Sequence, residues 1–226
     1  VRYRDPLFLV YENLNHVSSA VTTIEYPGSS TGVWWTTPKP NLTYLSLPDN
    51  TSFTPSKFKC LSALTHLSLP KNSMMKGSWN WFPPGLRYLD ISNTIISRPL
   101  DTTNDPPQFP STLTTLFNSD IEKPLWDILK PLHNLTSFRL NSAWTQRGEI
   151  FHILPRSVTS IEINSARDII ESNMPNLPDQ LIKFAAPDAP FTDWVIPTLP
   201  RTLKHFQCKS LSIHTAPFYA PCPPME

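Results

Sequence analysis

The stretch Leu42-Thr-Tyr-Leu45-Ser-Leu47 returns as Leu64-Thr-His-Leu67-Ser-Leu69, and again as Leu86-Arg-Tyr-Leu89-Asp-Ile91. Related copies begin at residues 21, 113, 135, 158, 181 and 203. The nine repeats follow one another at a nearly constant step, with one longer interval between Leu86 and Leu113. Strand side chains alternate between the two faces of a sheet. Since the second and third apolar residues of each repeat lie two positions apart, the repeat predicts one short strand with its apolar side facing inward.

Proline marks the approach to many of these strands. It stands three positions before the first apolar residue in five repeats, at Pro83, Pro110, Pro155, Pro178 and Pro200. Proline fixes its own φ and has no N–H to donate to a sheet. The spacing therefore predicts an extended lead-in immediately before each strand.

These features resemble leucine-rich repeats, whose repeats are about 20–29 residues long with one strand each. The phrase Leu154-Pro-Arg-Ser-Val-Thr-Ser-Ile161 is similar to the proline-led short repeats of FNIP-type proteins. The resemblance implies a β-rich α/β solenoid: a right-handed superhelix with a parallel concave β-sheet and a mostly irregular or 3₁₀ convex side. Residues 1–20 are expected to form an N-terminal cap, residues 21–211 the nine repeats, and residues 212–226 a proline-rich C-terminal cap or tail.

One family feature is mostly missing. Asparagine is found three places after the last strand leucine at Asn50 and Asn72, whereas the later repeats have Thr94, Ile121, Ala143, Ala166, Ala189 and Leu211 there. We therefore expect the buried asparagine ladder of such proteins to be largely absent, with other groups satisfying the turn backbone.

Composition excludes several functional classes. A net charge of +1 gives no electrostatic argument for nucleic acid or an anionic membrane. The longest apolar run, Leu7 to Tyr11, is far shorter than the ~20 residues that span a bilayer. The chain has 26 Pro but only 5 Gly, and it contains none of the common catalytic motifs. We therefore expect a non-catalytic protein without metal or cofactor. The Asp101–Asp105 insertion lacks the Gly and terminal Glu of a calcium loop. This favours a solvent-exposed loop at the rim of the sheet over a metal site.

The outward strand positions are the candidate functional surface. In the predicted sheet Tyr44, His66 and Tyr88 lie side by side, with Asp90 and Phe117 beside them. Exposed aromatic residues are favoured anchors at interfaces. Cross-strand packing that only stabilises the sheet is the alternative.

Arg139 is predicted to have Asp90, Phe117 and Glu162 in neighbouring repeats. It forms either a charge-balanced ladder or a cluster that contacts a partner, and the sequence favours the ladder.

A further file of threonines precedes the strands. An ice-binding surface is disfavoured because these side chains point toward the edge and Arg87 interrupts the file.

The remaining aromatic residues are predicted to form the convex core, among them Phe82, Phe151 and Trp194.

Cys60 and Cys208 are too far apart to pair, and Cys208 is expected to be buried, with a Cys208–Cys222 bridge as an alternative. The glycosylation sequons at Asn41 and Asn134 arise largely from the repeat consensus, and Asn50 is a candidate for burial. The sequons indicate a secreted protein, whereas the odd cysteine count fits a reducing compartment better. The start at Val1 favours a processed product or a fragment.

The sequence therefore predicts a non-catalytic interaction module that binds a protein or peptide partner on its concave sheet. Two alternatives remain. One is a structural subunit of a larger assembly, and the other is the substrate-recognition part of a ubiquitin ligase adaptor.

Overall fold

The computed structural model describes residues 2–3, 17–25, 38–48, 58, 60–71, 82–93, 108–118, 128–141, 149–167, 169–209 and 212–213. The chain divides into two compact units, Val1–Ile121 and Glu122–Glu226. Asn50, Asn72, Cys222 and the Asp101–Asp105 insertion lie outside the described residues, as do most positions of both predicted caps.

The described residues of the first unit form six strands in chain order, each parallel to its neighbour. They are β1 (Arg2–Tyr3), β2 (Thr23–Glu25), β3 (Tyr44–Ser46), β4 (His66–Ser68), β5 (Tyr88–Ile91) and β6 (Thr115–Asn118). Equivalent residues of successive repeats face each other, as in the pairs Tyr44–His66 and His66–Tyr88. The register is unchanged across the longer interval, where Tyr88 pairs with Thr115.

In the part of the second unit that the structure describes there are four parallel strands, followed by an antiparallel one. They are β7 (Ser137–Leu140), β8 (Ser160–Ile163), β9 (Lys183–Ala186), β10 (His205–Cys208) and β11 (Ser212–Ile213). Short 3₁₀ helices precede three of the strands, at Glu149–His152, Glu171–Asn176 and Asp193–Thr198.

Each unit is thus an open, β-rich, solenoid-like parallel sheet, which confirms the predicted fold class, and the described connections of the second unit include short 3₁₀ helices. All nine predicted repeats carry a strand. The sequence did not predict β1, within the expected N-terminal cap, or β11, at the start of the expected tail.

Among the described residues, the core combines the inward positions of the repeats with apolar residues of the connections, such as Phe58 and Phe151, and the third inward position of β6 is the buried Asn118. Leu45, Leu67 and Leu89 are fully buried at the middle position. In β9 and β10 the third position is small, Ala186 and Cys208, and the middle position is Phe184 or Phe206. The two phenylalanine rings stack with centroids 5.9 Å apart. The larger middle residue compensates for the smaller third one, as close packing requires. Cys208 is buried, as predicted.

The prolines begin a turn. In all five proline-led repeats the proline carbonyl accepts the N–H of the first apolar residue three positions on, for example Pro83 to Leu86 at 3.1 Å. This bond closes a β-turn, so the approach is not the directly extended lead-in predicted from sequence. Lys39, Leu61 and Leu132 accept the same bond in repeats without proline. In the proline-led repeats this position contributes only its carbonyl, whereas Leu61 and Leu132 also donate their own N–H groups to Phe58 and Leu129 at 2.9 and 3.1 Å, a bond that proline cannot make.

The residue immediately before each strand joins neighbouring repeats. Its carbonyl accepts two successive N–H groups of the next repeat, as Thr43 does from Thr65 and His66 at 2.9 and 3.0 Å. Threonine adds a third donor, because the Thr65 hydroxyl donates to the same Thr43 carbonyl at 3.1 Å. Thr43, Thr114 and Thr159 make equivalent hydroxyl bonds at 3.0–3.2 Å. The threonine file therefore connects repeats, consistent with the predicted edgeward direction.

A second polar position also connects repeats. The residue before the first apolar position donates its side chain to the backbone of the preceding repeat: Thr112 to Leu86, Ser157 to Leu135 and Thr202 to Leu181, at 2.7–2.8 Å. The Asn41 side chain donates to Ser19 at 3.0 Å in the same way. The Pro-x-(Ser/Thr)-Leu phrase thus encodes a turn followed by a hydrogen bond to the neighbouring repeat.

The expected loss of the asparagine ladder holds at two of its positions, where Ala166 and Ala189 are fully buried. A different asparagine pair lies nearer the strands. The Asn164 side chain donates to the Asn141 side chain at 2.7 Å, one position after the third apolar residue.

Lys39 is an unusual core residue, with only 4% of its surface exposed. Its ammonium donates to the carbonyl of Val17 in the preceding repeat. Burial lowers the pKa of Lys39 because removal from water disfavours the charged form.

Replacing Thr112 tests the second polar position. Thr112→Val keeps the shape of the side chain but removes the hydroxyl that bonds to Leu86. We expect the free energy of unfolding to fall by about 1 kcal/mol, the typical net contribution of such a bond. Thr112→Ser keeps the hydroxyl and serves as the control. Urea unfolding measures both variants, and equal loss in the two would contradict a role for the hydroxyl.

Candidate functional site

The outward face of the first unit carries two rows of side chains. The first row consists of Thr23, Tyr44, His66, Tyr88 and Thr115, and the second of Glu25, Ser46, Ser68, Asp90 and Phe117. Members of a row are register partners on adjacent strands. These side chains are exposed or half-buried, while the residues between them are buried.

Three aromatic side chains of the first row, Tyr44, His66 and Tyr88, form a continuous stack that we call the aromatic row. The Tyr44 and His66 ring centroids are 6.0 Å apart with planes inclined by 29°. The His66 and Tyr88 centroids are 5.7 Å apart with planes inclined by 23°. The predicted side-by-side arrangement is therefore confirmed, and both faces of the His66 ring are covered by tyrosine.

Phe117 and Asp90 extend the site from the second row. The Phe117 ring meets Tyr88 edge to face, with centroids 5.4 Å apart. The Asp90 carboxylate accepts the Ser92 backbone N–H at 2.9 Å and the Ser68 hydroxyl at 3.4 Å. Asp90 is thus held in place at the side of the aromatic row.

Arg139 and Glu162 lie on the outward face of the second unit. The Arg139 guanidinium lies 2.9 Å from the Glu162 carboxylate, and Lys183 lies 3.9 Å from the other oxygen of that carboxylate. Arg139 also donates to the Asn164 side chain at 3.4 Å. This is the charge-balanced ladder that the sequence favoured. Asp90 and Phe117, which the sequence also grouped with Arg139, belong to the first unit.

The prediction that the convex aromatic residues form core is right for Phe82 and Phe151, which are buried, and wrong for Trp194, which is 84% exposed. The sequence contained a signal for this. When the repeats are aligned on Leu154-Pro155, Leu177-Pro178 and Leu199-Pro200, Trp194 occupies the position of Glu149 and Ser172. Polar residues there indicate a solvent-facing position.

The described residues contain neither a membrane-spanning helix nor a cluster of metal ligands. No helix there is long and apolar enough to cross a membrane. No three His, Cys, Asp or Glu side chains in that part of the chain are grouped closely enough to hold a metal ion.

A double-mutant cycle on Arg139→Gln and Glu162→Gln tests the ladder. Half-exposed ion pairs typically contribute about 0.2–1 kcal/mol, and salt screens them. We expect a coupling energy in that range that shrinks when the salt concentration is raised. Urea unfolding of the four proteins gives this value. A coupling of zero at low salt would show that the pair does not stabilise the fold and would reopen the partner interpretation.

The sequence matches no protein-family model, and no curated protein matches it significantly. Arguments about function therefore depend on the geometry of the chain's own residues.

Proposed function

We propose that the chain is a non-catalytic interaction module that binds a protein or peptide partner on the outward face of its parallel sheet. The observation that carries this proposal is the aromatic row, three stacked rings on a partly exposed surface in register across three strands. Tyrosine rings supply large contact area and lose little conformational entropy on binding, which makes them frequent anchors at interfaces.

The setting of the row supports a binding role. The row is flanked by half-buried Ser46 and Ser68 and by the fixed carboxylate of Asp90. Apolar rings surrounded by satisfied polar groups resemble the core and rim of protein interfaces. The assignment to leucine-rich repeats and the absence of catalysis belong to the same proposal, as does the absence of nucleic acid as a partner.

A triple variant, Tyr44→Ala with His66→Ala and Tyr88→Ala, tests the proposal. The full chain is immobilised, and proteins retained from an extract of the source cells are quantified. We expect at least a tenfold loss of the retained partner, since removing the central anchors of an interface typically weakens binding by more than one order of magnitude.

The matched control carries alanine at the same outward position of the second unit, with Ser137→Ala, Ser160→Ala and Lys183→Ala. Circular dichroism confirms that both variants fold. Equal retention by the triple variant, its control and the unmodified chain would remove the aromatic row as the binding site.

A structural subunit is the second candidate, because three large apolar side chains among the described residues of the second unit are exposed. They are Trp194 at 84%, Ile170 at 42% and Ile182 at 40%. Glu171 lies next to Ile170 and accepts two hydrogen bonds from Thr192, two residues before Trp194, so the two 3₁₀ segments meet there.

Sedimentation velocity separates the two candidates. If this surface joins copies of the chain, the protein should self-associate at micromolar concentration, and Trp194→Ser should return it to monomer because the apolar contact is lost. A monomeric unmodified chain would contradict self-assembly and favour the interaction module. Tyr44→Ala is the control that should leave self-association unchanged.

A further inference from the structure

Hydrogen bonding around Thr65 fixes the tautomer of His66. The Thr65 hydroxyl lies 3.1 Å from the Thr43 carbonyl and 2.9 Å from His66 Nδ1. A hydroxyl has one hydrogen, and a carbonyl can only accept. Thr65 therefore donates to Thr43 and accepts from His66. Neutral His66 consequently carries its proton on Nδ1 and has an open lone pair on Nε2.

That Nε2 atom lies in the outer half of an exposed side chain. Among the described residues, the contacts of the ring are the Thr65 hydroxyl and the Tyr44 and Tyr88 rings. Nε2 is therefore a hydrogen-bond acceptor that faces outward from the middle of the aromatic row.

The stacking also determines which part of each ring a partner meets. The faces of His66 are covered by tyrosine on both sides, so the middle of the row presents a ring edge rather than a face. A nucleobase or a proline ring binds by stacking on an open aromatic face. A partner above His66 instead meets the ring edge and its Nε2 acceptor, with a tyrosine on either side.

The neighbouring groups add negative charge. Glu25 and Asp90 are the ionisable residues of the second row, and Asp90 lies on the same face of β5 as Tyr88. Two cations lie near this site among the described residues. Arg87 precedes Tyr88 and so lies toward the opposite end of β5 from Asp90. Lys71 lies at the Asp90 end, where its backbone N–H donates to the carbonyl of Ser92 at 2.7 Å. The site is thus rich in acceptors and carries the Asp90 carboxylate.

We propose that the aromatic row and Asp90 bind a basic side chain, arginine or lysine, on a segment of a protein partner. The inference rests on the proposed function and names the chemistry of the ligand. The basic group donates to His66 Nε2 while Asp90 balances its charge. A donor-rich cation complements a set of acceptors that includes a carboxylate.

Acid should weaken this binding. Protonation at Nε2 converts the acceptor into a donor and adds a positive charge beside the ligand. The ionisable groups around the ring among the described residues are Tyr44 on β3 and Tyr88 and Asp90 on β5, with Arg87 directly before β5 and Lys71 after β4.

Fluorescence anisotropy with the full chain tests the proposal. The probes are two labelled peptides, Gly-Ser-Arg-Ser-Arg-Ser-Gly and the same peptide with glutamate in place of arginine. At pH 7.5 we expect the arginine peptide to bind at least tenfold more tightly. Lowering the pH to 5.5 should weaken its binding about tenfold, the effect of losing one hydrogen bond to a charged group.

Two conservative variants assign the effect to residues. His66→Gln places a carbonyl acceptor where Nε2 lies but does not titrate, so binding should persist and vary less than about twofold with pH. Asp90→Asn should weaken binding about tenfold at both pH values. Glu162→Gln in the second unit is the control and should change nothing.

Equal binding of the two peptides, or a pH profile unchanged in His66→Gln, would overturn the basic-ligand proposal. If neither peptide binds, or only the glutamate peptide binds, the basic ligand is wrong. The proposed function still stands in that case if the triple alanine variant loses its partner from the extract. If that variant retains the partner as well, both proposals fail.

Discussion

Each repeat is registered against the next through one backbone carbonyl, that of the residue before the strand. In the first unit the carbonyls of Thr22, Thr43, Thr65 and Arg87 each accept two N–H groups from the following repeat, and in the second unit those of Thr136, Thr159 and Ile182 do the same. Where threonine follows, its hydroxyl adds a third donor. Three donors on one oxygen hold the start of a strand firmly, and a one-residue slip would turn every buried side chain outward.

The candidate site depends on this registration. Because Tyr44, His66 and Tyr88 occupy the same position in successive repeats, their rings meet at centroid distances set by the strand spacing. The same threonine that registers β4 also orients the neighbouring imidazole, since Thr65 bonds to both the Thr43 carbonyl and His66 Nδ1. In the second unit, equal registration brings Arg139 against Glu162 and produces an ion pair instead of a ring stack.

The sequence was most informative where a single periodicity determines geometry. A nearly constant step between repeats and alternation along the strand were enough to predict the strands, the buried positions and the neighbours of His66. Contacts that depend on one hydrogen were not predictable in this way. The pattern showed that Thr65 precedes a strand, but only the distances to Thr43 and His66 reveal where its proton goes. The proline turn was missed because a fixed φ fits both an extended segment and the start of a turn. Trp194 was misplaced because its hydrophobicity was considered without the polar residues at equivalent positions.

The one irregular interval shows how this chain tolerates changes in length. Between Leu86 and Leu113 the chain is longer than between the other neighbouring repeats, yet β5 and β6 pair in the usual register and Thr112 still bonds to Leu86. Across this interval the described turn, the residue before the strand and the strand itself keep the usual contacts with the preceding repeat. Closing a longer loop costs little entropy, since each doubling of loop length adds only about 0.6 kcal/mol. Foreign sequence grafted into this connection would therefore leave those contacts intact, which makes this a backbone that can lengthen without being redesigned.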